Sequence, residues 1–302
     1  MMKEENILDS EIRVIGGNQK PPKTPFPWRL FAIIVCVITI IGLIVWWQWP
    51  ETSDEPDEPG LFEQEQPVAQ PHPLVNWFTS IDTITSVGTV TTDISINDIP
   101  LRVYAPLNST PHLEIGYKIA DHRERSILFF QAADVRADNG KIVGAFVLHG
   151  KPLSWGLSKR GYCAIINSEV TVGVADNSPL FEKATDENGD FFRQYPLVDK
   201  GKLVESELKS KAIRRALCEV EGHIVVVETQ TIESMHDFAQ ALVDIGTSNA
   251  IYLVGSSAMG WSMDANGNGT KMGLWDPRKI KNISFIVWAK QKMSYVQNSV
   301  CE

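Results

Sequence analysis

One late segment constrains the fold more than any other. His223–Thr229, "HIVVVET", is an apolar run rich in β-branched residues and is predicted as a strand. Ser234–Gly246, "SMHDFAQALVDIG", follows with Phe238, Ala241, Leu242 and Ile245 at helical spacing. Ser234 with Asp237 three residues on makes a capping-box pattern, and Gly246 supplies a stop. "AIYLV", Ala250–Val254, is the next strand. Strand, helix, strand predicts a right-handed crossover between parallel strands, so both would end on one edge of the sheet. Thr229 and Gln230 are then expected beside Gly255, Ser256 and Ser257, at the edge where α/β sheets favour ligands.

Upstream of this unit the domain reads as strands and turns. "IPLRVYAPL", "RSILFFQAADV" and "KIVGAFVLHGK" are apolar or alternating, and Asn139-Gly140 between the last two predicts a hairpin turn. "YCAIINSEVTVGVA" reads as a second hairpin with its turn near Asn167-Ser168. The expected fold class is therefore α/β or mixed α+β: one soluble domain with a mixed β-sheet and a βαβ unit.

The N-terminal quarter has a different character. Leu30–Trp47, "LFAIIVCVITIIGLIVWW", contains no charge and as a helix would be about 27 Å long, near the hydrocarbon thickness of a bilayer. Lys20, Lys23 and Arg29 precede it, and Trp28, Trp46, Trp47 and Trp49 flank it. These features predict one N-terminal transmembrane helix. The N-terminus is then cytoplasmic and the C-terminal bulk periplasmic or extracellular. Glu51–Pro73 is rich in Pro and Glu, and residues 51–75 carry seven acidic groups and no Lys or Arg, as expected of an extended linker. The predicted organisation is a cytoplasmic tail at 1–29, a membrane helix at 30–49, an acidic linker at 50–74 and a folded domain at 75–302. A net charge of −9 argues against a nucleic-acid partner.

Cys163 and Cys218 are expected as small apolar core residues; with Cys301 they give no disulfide framework and no zinc spacing. "DANGNGT", Asp264–Thr270, matches the first half of a calcium loop but has Trp275 at the twelfth position, so a glycine-rich hairpin turn is expected. No metal ligands are assigned, and the sequence names no cofactor.

Arg214–Trp261 resembles the phosphodiester glycosidase family. Arg214-Arg215-Ala216, Ala239…Gly246 and Asn249-Ala250…Leu253 fit that family's "R-x-A", "A-x-x-x-x-x-x-G" and "N-A-x-x-L-D-G-G-G-S". Phe130–Lys151 is similar to its "N-G-G-F-F…G-K" segment and Arg193–Lys202 to its "Q-S-G-P-x-L-V-x-x-G-K". The departures fall on polar or flexible positions: Val254 stands for the family's Asp, Gly255-Ser256-Ser257 for its triple glycine, Gln131-Ala132-Ala133 for Asn-Gly-Gly, and Arg193-Gln194-Tyr195 for Gln-Ser-Gly.

The resemblance implies a hydrolase acting on a glycan or sugar-1-phosphodiester, and the predicted membrane helix would anchor it outside the cytoplasm. The lost Asp opens the alternative of a catalytically inactive glycan- or partner-binding domain, and whether the chain is an enzyme stays open. Such cleavage needs an acid or base and a clamp for the phosphate. Glu228 and Asp134 are the candidate catalytic carboxylates. Arg214, Arg215, Gly255, Ser256, Ser257 and Gln131 are the candidate phosphate or substrate contacts.

Overall fold

The computed structural model describes residues 73–290, less 117–122, 137, 207–208 and 276–282, together with Thr39. The chain divides into units Met1–Gln66 and Pro67–Glu302, and the architecture below is that of the second.

Three sheets make up the domain. The first has seven strands in the order β1 (Gly88–Ile96), β2 (Ile99–Leu107), β13 (His223–Thr229), β12 (Arg215–Val220), β14 (Thr247–Leu253), β10 (Pro196–Asp199) and β11 (Lys202–Leu203). The second has five: β16 (Gly269–Met272), β15 (Gly260–Met263), β4 (Ser126–Gln131), β17 (Ser284–Lys290) and β3 (Ser109–Ile115). The third also has five: β6 (Lys151–Trp155), β5 (Ala145–Leu148), β9 (Asp190–Gln194), β7 (Gly161–Ile166) and β8 (Glu169–Val174). The helices are α1 (Val75–Ile81), α2 (Leu180–Asp186) and α3 (Met235–Asp244).

The fold class is corrected by this architecture, which is mostly antiparallel β rather than mixed α/β. The strand–helix–strand unit is present, and β13 and β14 do run parallel to one another. They are not neighbours, however: β12 lies between them and pairs antiparallel with both. The reason is local. Glu221 and Gly222 have φ of 49° and 77°, the left-handed pair of a tight hairpin turn, so β12 folds directly onto β13 and takes the neighbouring position. The crossover through α3 must then pass over β12. The Asn139-Gly140 turn likewise does not close a ladder: it joins β4 to β5 in different sheets, with one bridge, Val135 to Ile142. At Asn167-Ser168 the expected hairpin forms, with φ of 53° and 68°. Asp264–Asn268 closes the β15–β16 hairpin, the Asp264 Oδ1 accepting the N–H groups of Asn266 and Asn268.

The single-pass topology is also corrected. Among the described residues no helix is long and apolar enough to cross a membrane, and Leu30–Trp47, Thr39 apart, lies outside them. The cytoplasmic tail and residues 50–72 of the acidic linker lie outside them too, while Leu74, placed in the linker, is buried in the domain core.

Two faces of the seven-stranded sheet build two cores. On one, Ala216, Cys218, Val225, Val227 and Ala250 pack against Phe238, Ala241 and Leu242 of α3, Ile245 at its C-cap and Phe78 of α1. Ser234 caps α3, its Oγ accepting the Asp237 N–H at 3.0 Å, and Gly246 ends it at φ 86°. On the other face Tyr104, Leu217, Val226, Ile251 and Leu253 meet Phe130, Phe146, Cys163, Phe192 and Ile286 of the two smaller sheets. Each Val, Leu, Ile or Phe side chain among these contributes about 1.5–3 kcal/mol by leaving water. Cys163 and Cys218 are free thiols in these cores.

Candidate functional site

The strand registers set a row of charge across the second face. Asp93 of β1 stands opposite Arg102 of β2, Arg102 opposite Glu228 of β13, and Glu228 opposite Arg215 of β12, whose other neighbour is Leu253 of β14. Signs alternate along the row, so each carboxylate lies beside a cation. Arg102 grips Asp93 by two bonds of 2.7 Å. Arg215 donates from Nε to Glu228 Oε2 at 2.7 Å and from Nη2 to the same oxygen. Its Nη1 donates to the Val254 carbonyl at 3.0 Å, and the guanidinium lies 4.3 Å from the Phe130 ring centre. The Arg215 side chain is 1% exposed and that of Glu228 11%, so the pair is buried with the carboxylate nearer solvent. Tyr104 belongs to this cluster: burial raises its hydroxyl's pKa, the Glu228 charge adds to that, and Arg215 and Arg102 oppose it.

Arg214 is oriented differently. Its backbone N–H bonds the Thr229 hydroxyl at 2.8 Å, and its guanidinium donates to the carbonyls of Glu233 (3.1 Å) and Ser210. It lies 6.0 Å from the Tyr252 ring centre, on the α3 side of the sheet, opposite the Phe130 side that holds Arg215. The two adjacent arginines therefore do not converge.

The loop after β14 spends most of its amides internally. Gly255 N–H meets the Tyr252 hydroxyl at 3.4 Å, and Ser256 N–H bonds the Ile213 carbonyl at 2.9 Å. A Cβ on Gly255 would stand 2.5 Å from that same carbonyl oxygen, which is why glycine is required there. Ser256 and Ser257 keep exposed side chains.

The segments that depart from the family pattern meet in space. Val254 N–H bonds the Gln131 carbonyl at 3.2 Å. Tyr252 N–H bonds the Tyr195 carbonyl at 2.8 Å, and Gln194 Nε2 bonds the Ala132 carbonyl at 3.2 Å. Val254 is thus held at both ends of its backbone, by Gln131 on one side and Arg215 on the other.

Asp134, three residues beyond Gln131, is ion-paired to Lys159, whose Nζ also donates to Gln194 Oε1 at 2.8 Å and lies 4.4 Å from the Tyr195 ring centre. The Lys159 side chain is 4% exposed and that of Asp134 31%. Burial lowers the Lys159 pKa, against the opposing pull of Asp134; burial raises that of Tyr195, and the Asp134 charge adds to it. The sequence reading singled out Arg215, Glu228, Asp134 and Gln131 but missed Arg102, Tyr104 and Lys159. Only the register places the first two beside Glu228, and nothing in the sequence around Lys159 marks its contact with Asp134.

Two cavities of about 360 Å³ each lie elsewhere, one beside the start of α3 at Glu233, His236 and Asp237, the other beside Leu107, Val170 and Trp288.

No protein-family model matches the chain, and no curated protein sequence matches it. Among solved structures it is similar to the catalytic domain of zebrafish N-acetylglucosamine-1-phosphodiester alpha-N-acetylglucosaminidase, auto-inhibited by its pro-peptide. That likeness has 13% identity over 68% of this chain and 83% of that one, with a TM-score of 0.48. It is also similar to a hypothetical protein from Synechocystis, at 12% identity over 68% of this chain and 62% of that one, with a TM-score of 0.50. The relationship is distant and one of fold.

Proposed function

We propose that this domain binds a glycan or sugar-phosphate ligand and does not hydrolyse it. The observation that carries the reading is the state of its candidate catalytic groups. The position that corresponds to the family's carboxylate holds Val254, and the two carboxylates nearest in role are each tied to a cation: Glu228 to Arg215 and Asp134 to Lys159. A general acid or base has to exchange protons with the substrate, and each of these carboxylates is instead engaged by the N–H donors of a buried protein cation. The ligand class comes from the resemblance seen in the sequence, since a shared fold alone names no ligand. The exposed hydroxyls of Ser256 and Ser257 suit a polyol.

The test is titration calorimetry of the full chain with a neutral N-acetylhexosamine oligosaccharide and with a hexose 1-phosphate. Saturable binding to at least one is expected, weakened at least tenfold by a double Ser256→Ala/Ser257→Ala change. Absence of binding to both would overturn the reading.

A further inference from the structure

We infer that the Lys159 ammonium anchors an oxyanion subsite and that the carboxylate of Asp134 occupies it in the ligand-free chain. This deepens the reading above and rests on it only for the kind of molecule that carries the anion.

The cation is fixed from several directions. Lys159 has a φ of 74°, a strained conformation for a residue other than glycine. Its carbonyl is held at 2.9 Å by Nη1 of Arg193, a buried guanidinium that also donates to the carbonyls of Ala175 (3.0 Å) and Asp176 (2.9 Å). The side chain runs inward against Tyr195 to Gln194, whose amide is fixed in turn by the Ala132 carbonyl. A buried ammonium needs an anionic partner, because an uncompensated charge away from water is costly.

The anion is held much less firmly. The Asp134 backbone is anchored, its carbonyl accepting the Val143 N–H at 2.9 Å. Its carboxylate bonds Lys159 alone among the described residues and is the more exposed partner. A side-chain rotation returns it to water when an external anion takes its place on the ammonium, so the exchange leaves no buried charge unpaired. The charge then selects an oxyanion, a phosphate or a carboxylate, on a ligand lying beside Gln131 and Val254. In the free chain Asp134 competes as a tethered ligand, so its effective concentration is in the millimolar range or above and weakens any external anion.

The experiment compares the full chain with Asp134→Asn, which keeps the shape and removes the charge, and with Asp134→Asn/Lys159→Met. Inorganic phosphate, acetate and a hexose 1-phosphate are titrated by calorimetry, with folding checked by circular dichroism. Asp134→Asn is expected to bind phosphate or acetate at least about tenfold more tightly than wild type, and the double variant to lose that gain. The ratio of the two anions tells which one the subsite prefers. A gain that survives Lys159→Met would mean the anion binds elsewhere and would overturn the inference, as would no gain. If Asp134→Asn does not fold, amine acylation of the wild type replaces it. Phosphate is then expected to change the labelling of Lys159 several-fold, and an unchanged rate overturns the inference. A neutral oligosaccharide that still binds wild type in either failure leaves the proposed function standing.

Discussion

Arg215 holds Glu228 through a single carboxylate oxygen while its remaining donor arm takes the carbonyl of Val254. The guanidinium therefore joins β12 and β13 to the residue that follows β14. It also lies over the Phe130 ring, 4.3 Å from its centre, so it is packed as well as paired. Removing it leaves a largely buried carboxylate without its cation. Arg215→Met is expected to lower unfolding stability by about 3 kcal/mol, the lower end for a broken buried pair because Glu228 reaches solvent. Glu228→Gln should cost less, since the amide oxygen still accepts. Urea unfolding of the two variants and their double mutant gives the coupling, and a loss under about 0.5 kcal/mol for Arg215→Met would refute the structural role given to the pair.

Gly255 is set by a close approach rather than by a turn. Its missing side chain leaves room for the Ile213 carbonyl, which a Cβ would meet at 2.5 Å. Gly255→Ala is expected to destabilise by about 1–3 kcal/mol, the range for overpacking. Urea unfolding measures it, and a neutral substitution would show that the loop after β14 does not lie against residue 213.

The pH dependence around Lys159 has a definite sign. Burial places its folded pKa below the ordinary lysine value of 10.5, so between the two values the unfolded chain binds more protons. Its contribution to stability therefore rises as pH rises through that interval. The tyrosines act in the opposite sense: Tyr104 and Tyr195 have raised pKa values, so their contribution falls as pH increases. Subtraction separates the effects. Stability of wild type minus that of Lys159→Met is expected to increase between pH 7 and 10.5 in urea titrations, and a flat or falling difference would contradict the burial of this amine.

Cys163 and Cys218 are fully buried, and burial raises both thiols well above the ordinary range. The thiolate is the reactive form, so neither is expected to react with a disulfide reagent in the folded chain, and both should label in urea. Peptide mapping of the labelled cysteines checks this. Rapid native labelling of either one would place it outside the core.

The sequence reading reached some levels of this structure and not others. The α3 cap at Ser234, its apolar face and its stop at Gly246 were legible because they depend on spacing within about a dozen residues. The shared edge of β13 and β14 was legible too, since strand direction follows from the crossover. What failed was strand order. Nothing local says that Arg215–Val220 inserts between two parallel strands, because that follows from a two-residue turn whose consequence is a neighbour on the far side. The same gap hid half of the candidate site. Glu228 and Arg215 stood out as charges at strand ends, but Arg102 joins them only through the register of β2 on β13. Lys159 meets Asp134 across 25 residues of chain, with its backbone carbonyl held by Arg193 of β9, a long-range arrangement that no local pattern encodes. Arg214 misled for a related reason: alternation along a strand turns adjacent residues to opposite faces, so an Arg-Arg pair cannot act as one clamp.

The central claim is that ligand is bound without being cleaved, and turnover tests it most directly. A chromogenic hexose-1-phosphodiester is incubated with the wild-type chain at saturating concentration, beside Val254→Asp of verified melting temperature. The account predicts no release above the protein-free rate for wild type. It predicts a gain only in Val254→Asp, where a carboxylate returns to the position held by Gln131 and Arg215. Wild-type turnover that is lost in Glu228→Gln or Asp134→Asn would contradict it and identify that carboxylate as catalytic.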